Sequence, residues 1–183
     1  MAKMAEPWTA KELARLPAGW RYEIDAGELI IMAPAGRRHG QLVVHIATLL
    51  NVFVTAHQLG EVSGAELGVY LHDNPETLRG VDVAFYSVAR VRQLGGETGF
   101  VHVPPDLAVE VHDSSEPDIH RKVEQYLAAG VRSVWVVDPE RRTLVQHRPG
   151  DNARVIADPD AAVEDGVLPG FSCRLGELLL ADR

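Results

Sequence analysis

Between residues 36 and 58 apolar side chains return every three or four positions. Leu42, Ile46, Leu49, Leu50 and Phe53 share one helical face, and Gln41, His45, Thr48 and Thr55 follow the opposite stripe. That spacing predicts the longest helix of the chain, from Gly36 to about Gln58, ended by Gly60. Upstream, Thr9-Ala10-Lys11-Glu12 has the form of a capping box, in which the threonine and the glutamate each satisfy an orphan backbone N–H of the other. Trp8 and Leu13 stand at staple positions around it, and Pro17 closes a short helix. Arg21 to Asp25 alternates, turns at Ala26-Gly27 and resumes as Glu28 to Met32, which predicts a hairpin.

Period two then takes over. Short strands are expected at about Glu66–Leu71 and Val81–Tyr86, and another at Leu107–His112 after Pro104-Pro105. Ser115 is positioned to cap a helix from Glu116 to about Ala129, with Gly130 just past its end. Ser133–Val137 is an unbroken apolar run around Trp135, as in a strand covered on both faces. A turn at Asp138-Pro139-Glu140-Arg141 leads into Thr143–His147. This order of elements predicts a mixed sheet with helices packed on it. The class is α/β bordering on α+β, in one domain over residues 1–183.

Composition narrows the function classes. With 183 residues and one cysteine, Cys173, the chain has neither a disulfide framework nor a cysteine zinc cluster. The net charge is −8, which argues against non-specific coating of nucleic acid but leaves room for a local cationic groove. Half of that excess lies in the 33 residues from Asp151 onward. The N-terminus shows no apolar signal region, and the apolar stretch Leu42–Ala56 is short of the roughly 20 residues of a membrane span. The expectation is a cytoplasmic protein that does not enter a membrane.

Charge is costly in buried strands, and two carboxylates stand in such places. In Asp106-Leu107-Ala108-Val109-Glu110-Val111-His112, alternation puts Ala108, Glu110 and His112 on one face and Leu107, Val109 and Val111 on the other. Glu110 there needs a partner, a metal or a proton. Asp82 stands equally alone in Val81-Asp82-Val83-Ala84-Phe85. Two isolated carboxylates on neighbouring strands suit a hard divalent cation such as magnesium. The chain has 3 lysines against 15 arginines, and Lys122 is the one that falls late in the chain. At 100° per residue it sits on the shoulder of a helix face marked by Ile119, Val123, Tyr126 and Leu127, within reach of Glu110.

Asp82, Glu110 and a lysine on the following helix resemble the metal site of the PD-(D/E)XK nuclease superfamily. The chain is similar to one branch of it, the Uma-type (Uma-two) family of restriction endonucleases. The matching pieces run from Arg21-Tyr22-Glu23 and Gly27-Glu28-Leu29 through Ala33-Pro34, His39 and Val81-Asp82-Val83. They go on through Pro105 to Val111, Lys122-Val123-Glu124-Gln125-Tyr126, Ala129-Gly130-Val131, Val134 to Pro139 and Leu168-Pro169-Gly170-Phe171. In order, they cover about Thr9 to Leu179. The resemblance implies a restriction-endonuclease-like fold and hydrolysis of DNA phosphodiesters with magnesium or manganese as cofactor. Glu23, Asp82, Glu110 and Lys122 then take the family's active-site positions, with Asp82, Glu110 and the Val111 carbonyl as metal ligands. Three departures stand out: Val81 before Asp82 where the family has proline, His112-Asp113-Ser114-Ser115 after Glu110-Val111, and Asp25-Ala26-Gly27 in the hairpin. His112 falls where the superfamily's common lysine stands, and with His39 it is an accessory candidate.

Plainer readings compete with these. Asp82 and Glu110 can be structural carboxylates paired with Arg79, Arg121 or His112, and Lys122 an ordinary solvated helix residue. Glu23 can be a surface strand residue. Asp118 reads as the capping partner of Ser115, and Trp135 and Tyr126 as core. His39, beside Arg37 and Arg38, can meet a phosphate at a helix start or simply face solvent. Cys173 reads as inert. Three further functions remain open: a catalytically inactive nuclease-fold module that binds nucleic acid or protein, a zinc or manganese hydrolase using His112 with Asp82 and Glu110, and a carboxylate-pair glycosidase, for which no aromatic sugar platform is evident. Cutting both strands of a duplex favours two sites related by two-fold symmetry, so a homodimer is expected.

Overall fold

The computed structural model describes residues 6–17, 20–112 and 118–180. The chain opens with helix α1 (Ala10–Leu13), and both halves of the Thr9/Glu12 capping box are present. Strands β1 (Arg21–Asp25) and β2 (Glu28–Met32) form the expected hairpin. Its two turn residues, Ala26 and Gly27, have φ of 49° and 81°, the left-handed pair of a twist-matched two-residue turn. Helix α2 (Arg37–Ala56) buries Leu42, Ile46, Leu50 and Val54. It is the one described helix long and apolar enough to cross a membrane by length and composition, but those four side chains lie at the centre of the core.

Strands β3 (Gly60–Asp73) and β4 (Glu76–Ser87) are far longer than expected. Gly60, Gly64 and Gly68 break the alternation of β3, and β4 begins with Glu76, Thr77 and Arg79, which read as polar. Helix α3 (Val88–Leu94) follows β4 directly and buries no residue, so no apolar periodicity announced it. Strand β5 (Leu107–Val111) ends one residue before His112. Helix α4 (Ile119–Ala128) is capped by Asp118, whose side chain accepts from the Arg121 N–H. Asp118 is thus itself the cap of this helix; Ser115 and Glu116, where the cap and the start were expected, lie outside the described residues. Gly130, with φ of 95°, ends that helix as expected.

Strands β6 (Ser133–Asp138) and β7 (Thr143–His147) fall where the apolar runs put them. The acidic C-terminal part adds β8 (Arg154–Ile156), β9 (Ala162–Glu164), β10 (Ser172–Arg174) and α5 (Leu175–Leu178). Among the described residues the main sheet has eight strands in the order β2-β1-β4-β5-β6-β7-β8, with β3 paired to β4. Only β5 and β6 run parallel, connected through α4, so the borderline class resolves to α+β. The alternation of β5 holds. Leu107, Val109 and Val111 meet α2 in one core, and Ala108 joins Val123 and Tyr126 of α4 in a second.

One detail of the pairing positions the site. β3 runs along β4 from end to end, so β1 and β5 share the other edge. β5 pairs with Val83 to Phe85 and β1 with Leu78, which leaves Arg79–Asp82 in a gap between them. Continued one step, the β4–β5 register sets Asp82 opposite Glu110.

Candidate active site

Side chains close that gap where backbone does not. The Gly80 N–H donates to Glu23 Oε1 at 2.9 Å, and the Tyr126 hydroxyl lies 3.2 Å from the Gly80 carbonyl. Across the gap, the Val111 N–H donates to Asp82 Oδ2 at 2.8 Å. Unpaired backbone groups inside a sheet are expensive, and here carboxylates and a phenol take them.

The charged groups around the gap are buried: Glu23, Arg79, Asp82, Glu110 and Lys122 are each at most 5% exposed. Lys122 Nζ lies 2.9 Å from Glu110 Oε2 and 3.1 Å from Glu23 Oε1, bridging β5 and β1. Tyr126, one turn along α4, donates to Glu110 Oε1 at 2.7 Å. Arg79 holds Glu23 Oε2 at 2.9 Å and Asp25 Oδ2 at 2.8 Å. Gln125 and Arg121 of α4 close on Asp25 at 2.7 and 2.8 Å. From the start of α2, His39 Nε2 reaches Asp82 Oδ2 at 3.2 Å.

The electrostatics follow from these contacts. Burial pushes the Glu23 carboxyl up, but Lys122 and Arg79 outweigh it and hold the group below its usual range. At Asp82 burial is likewise outweighed by the His39 hydrogen bond and charge and the Val111 N–H. The same hydrogen bond raises His39 against its own desolvation. Tyr126 is pushed well above 10 by burial and by the charge of Glu110, so its hydroxyl stays a donor.

A fifth carboxylate stands at the rim. Between Gly64 and Leu67 the register of β3 shifts, and Ala65 and Glu66 both take left-handed φ, 59° and 63°. Such conformations cost about 1–2 kcal/mol per non-glycine residue. They bring the Glu66 carboxylate over Gly80, where a Cβ would meet Glu66 Oε2 at 3.2 Å and Glu23 Oε1 at 3.5 Å. Arg21 Nε pairs with Glu66 at 2.6 Å.

A family model described as "Putative restriction endonuclease" matches residues 10–176. The chain belongs to the Uma2 family. No curated protein matches it. Among solved structures it is similar to a crystal structure described as a putative nuclease belonging to DUF820 from Anabaena variabilis. The TM-score is 0.78 at 21% identity, over 94% of this chain and 98% of that one. At that identity the likeness shows a shared fold.

Within this Uma2 chain the structure brings Glu23, Lys122, Glu110, Asp82 and His39 into one cluster. Glu23 is not a surface strand residue, Lys122 is not a solvated one, and His39 faces Asp82 rather than bulk water. Tyr126 is core and site at once. Asp25, Gln125 and Glu66 were not anticipated as members, and Arg79 only as a partner of Asp82 or Glu110; its signal was a charge directly before Gly80-Val81-Asp82 in a strand that proved longer than its apolar part. The backbone N–H of His112 donates to Val137 O, extending the β5–β6 ladder. Among the described residues no three His, Cys, Asp or Glu are placed to hold a metal ion, so the trio of His112, Asp82 and Glu110 is not assembled. A hard cation fits the oxygen chemistry of Asp82 and Glu110 and their opposed register. Entering there, it would exchange with the contacts that His39, Lys122 and Tyr126 now make.

Proposed function

We propose that this Uma2 protein is a magnesium- or manganese-dependent endonuclease that hydrolyses DNA phosphodiesters. The observation that carries the reading is Lys122 bridging Glu23 and Glu110, buried, beside Asp82 on the neighbouring strand. Such a cluster is expensive to bury for structure alone, and a hydrolytic site needs both its parts, acids and an amine.

Asp82, Glu110 and the Val111 carbonyl would hold the ion, which when bound supplies charge neutralisation at phosphorus and a more acidic water. Lys122 orients the attacking water and balances charge on the phosphate. Glu23 fixes Lys122, and Arg79 fixes Glu23. His39, in its neutral form, takes the proton that the water loses. Attack forms one P–O bond and breaks the P–O bond in line with it, and the departing alkoxide regains a proton. A two-fold pair of such sites, one per strand of a duplex, is the assembly that this reaction favours.

Supercoiled plasmid with manganese tests the reading. Nicking or linearisation that EDTA stops, and that Glu110→Gln loses while its circular dichroism stays native, is the expected result. Equal cleavage by Glu110→Gln overturns it. The second reading, an inactive module, is favoured by one observation: every carboxylate of the cluster already has a cationic or hydrogen-bonding partner. Calorimetry with manganese that gives no heat selects it.

A further inference from the structure

A recess of about 240 Å³ opens against the gap in the sheet and shares Arg79, Gly80 and Glu66 with the cluster. That is below the roughly 300–1,000 Å³ of sites that enclose a drug-sized ligand, and it has room for a flat ring system rather than a whole nucleotide. Three aromatic side chains border it: Trp20 at 58% and Phe100 at 36% exposure, and the half-buried Tyr22.

Phe100 is fixed there by backbone. Val101 N–H donates to Gly68 O and Tyr70 N–H to Val101 O, both at 2.9 Å, so the segment lies along β3 like a short added strand. A Cβ on Gly68 would come within 2.3 Å of Phe100 Cδ1, which means that the ring lies directly on glycine backbone. Tyr70 meets Phe100 edge-on, with centroids 6.3 Å apart. The polar edge of the recess is the Arg21–Glu66 pair, a fork of donors beside two acceptor oxygens. Arg reads the acceptors of guanine, and Glu accepts from an exocyclic amine.

Resting on the nuclease reading, we propose that this recess receives one unstacked base of the substrate strand, next to the phosphate to be cut. Trp20 and Phe100 supply the stacking surface, and Arg21 with Glu66 supplies the hydrogen-bonding edge. Every base has a π-face, so stacking there is tolerant of sequence, and a strand with a melted or extruded base is preferred over an intact duplex. Electrostatic attachment along an acidic surface is weak, so a stacking anchor is what this chain has to offer a polyanion.

The test uses the full protein in EDTA and an eight-nucleotide thymidylate strand, with an abasic strand of equal length as control. Trp135 is buried and Trp8 partly so, so quenching of exposed tryptophan reports Trp20. Thymidylate should quench and bind, and the abasic strand should do neither. Read by the anisotropy of an end-labelled strand, Trp20→Ala should weaken binding about 5- to 150-fold, the range for loss of one stacked base, and Trp20→Phe should restore most of it. Equal binding of the abasic strand, no binding of thymidylate, or full affinity in Trp20→Ala overturns the proposal. The two readings fail separately. Stacking without any metal-dependent cleavage overturns the nuclease and keeps the recess, whereas Glu110-dependent cleavage unchanged by Trp20→Ala in KM and kcat overturns the recess alone.

Discussion

Glu23 and Lys122 meet at 3.1 Å although they belong to an edge hairpin and to the helix that crosses between β5 and β6. The contact draws together two strands that share an edge of β4 without pairing to each other there. The same ammonium lies 2.9 Å from Glu110, so one side chain neutralises acids from both sides of the gap.

Removing that ammonium should therefore cost stability as well as activity. Lys122→Met leaves two buried carboxylates short of a cation, and loss of one partner from a buried ion pair costs about 3–5 kcal/mol. Urea unfolding should show a lower midpoint, and cleavage should vanish. The double variant Lys122→Met/Glu110→Gln should recover part of the stability and none of the activity.

Tyr126→Phe isolates one hydrogen bond. It removes the single hydroxyl proton that Glu110 Oε1 and, at longer range, the Gly80 carbonyl share, while keeping the ring packed, and should destabilise by about 1–3 kcal/mol. Differential denaturation against wild type checks it. A variant of unchanged stability would show that solvent satisfies those oxygens.

Stability should fall on both sides of a window between about pH 4.5 and 6.5. Glu23, Asp25 and Asp82 are held below their ordinary values, so their contribution is present above the unfolded values near 4 and is lost as the pH falls through the lower folded ones. Glu66, raised by burial, opposes that trend. His39 is raised above 6.5, so its contribution is full below 6.5 and is lost as the pH rises through its folded value. Thermal unfolding across pH should show both limbs, and His39→Gln should flatten the alkaline one and also shrink the acid one, because His39 is what chiefly holds Asp82 low.

Asp165 gives a prediction away from the site. Buried in the C-terminal part, its Oδ2 accepts from Ser133 Oγ at 2.6 Å and Trp135 Nε1 at 2.8 Å, with Arg148 at 3.3 Å. Asp165→Ala strands four donors, the Val167 N–H on Oδ1 included, and should cost about 3–5 kcal/mol without altering a cleavage rate measured well below the unfolding midpoint. Urea melts and initial rates on the same preparation check both halves.

The reach of the sequence followed the chemistry of isolation. Asp82 and Glu110 were legible because a lone charge in a β-branched run demands an explanation, and Lys122 because helical geometry put it on a shoulder facing them. Glu23 was legible only through resemblance, since a glutamate between Tyr22 and Ile24 reads equally well as a solvated strand position. Glu66 left no signal at all: its place depends on two left-handed residues that nothing in Gly64-Ala65-Glu66 announces. α3 escaped because it buries nothing, and β8, β9 and β10 because three residues cannot establish a period.

Because acids, amine and phenol complete the hydrogen bonding of an interrupted strand, reactivity and foldedness draw on the same atoms here. In many enzymes the reacting groups are a liability that can be shed for a sturdier protein. Under the nuclease reading proposed above, this chain has no such exit: a descendant that had ceased to cut would be bound to Glu23, Glu110, Lys122 and Tyr126 by the need to stay folded, and would keep the outward form of a nuclease long after losing the trade.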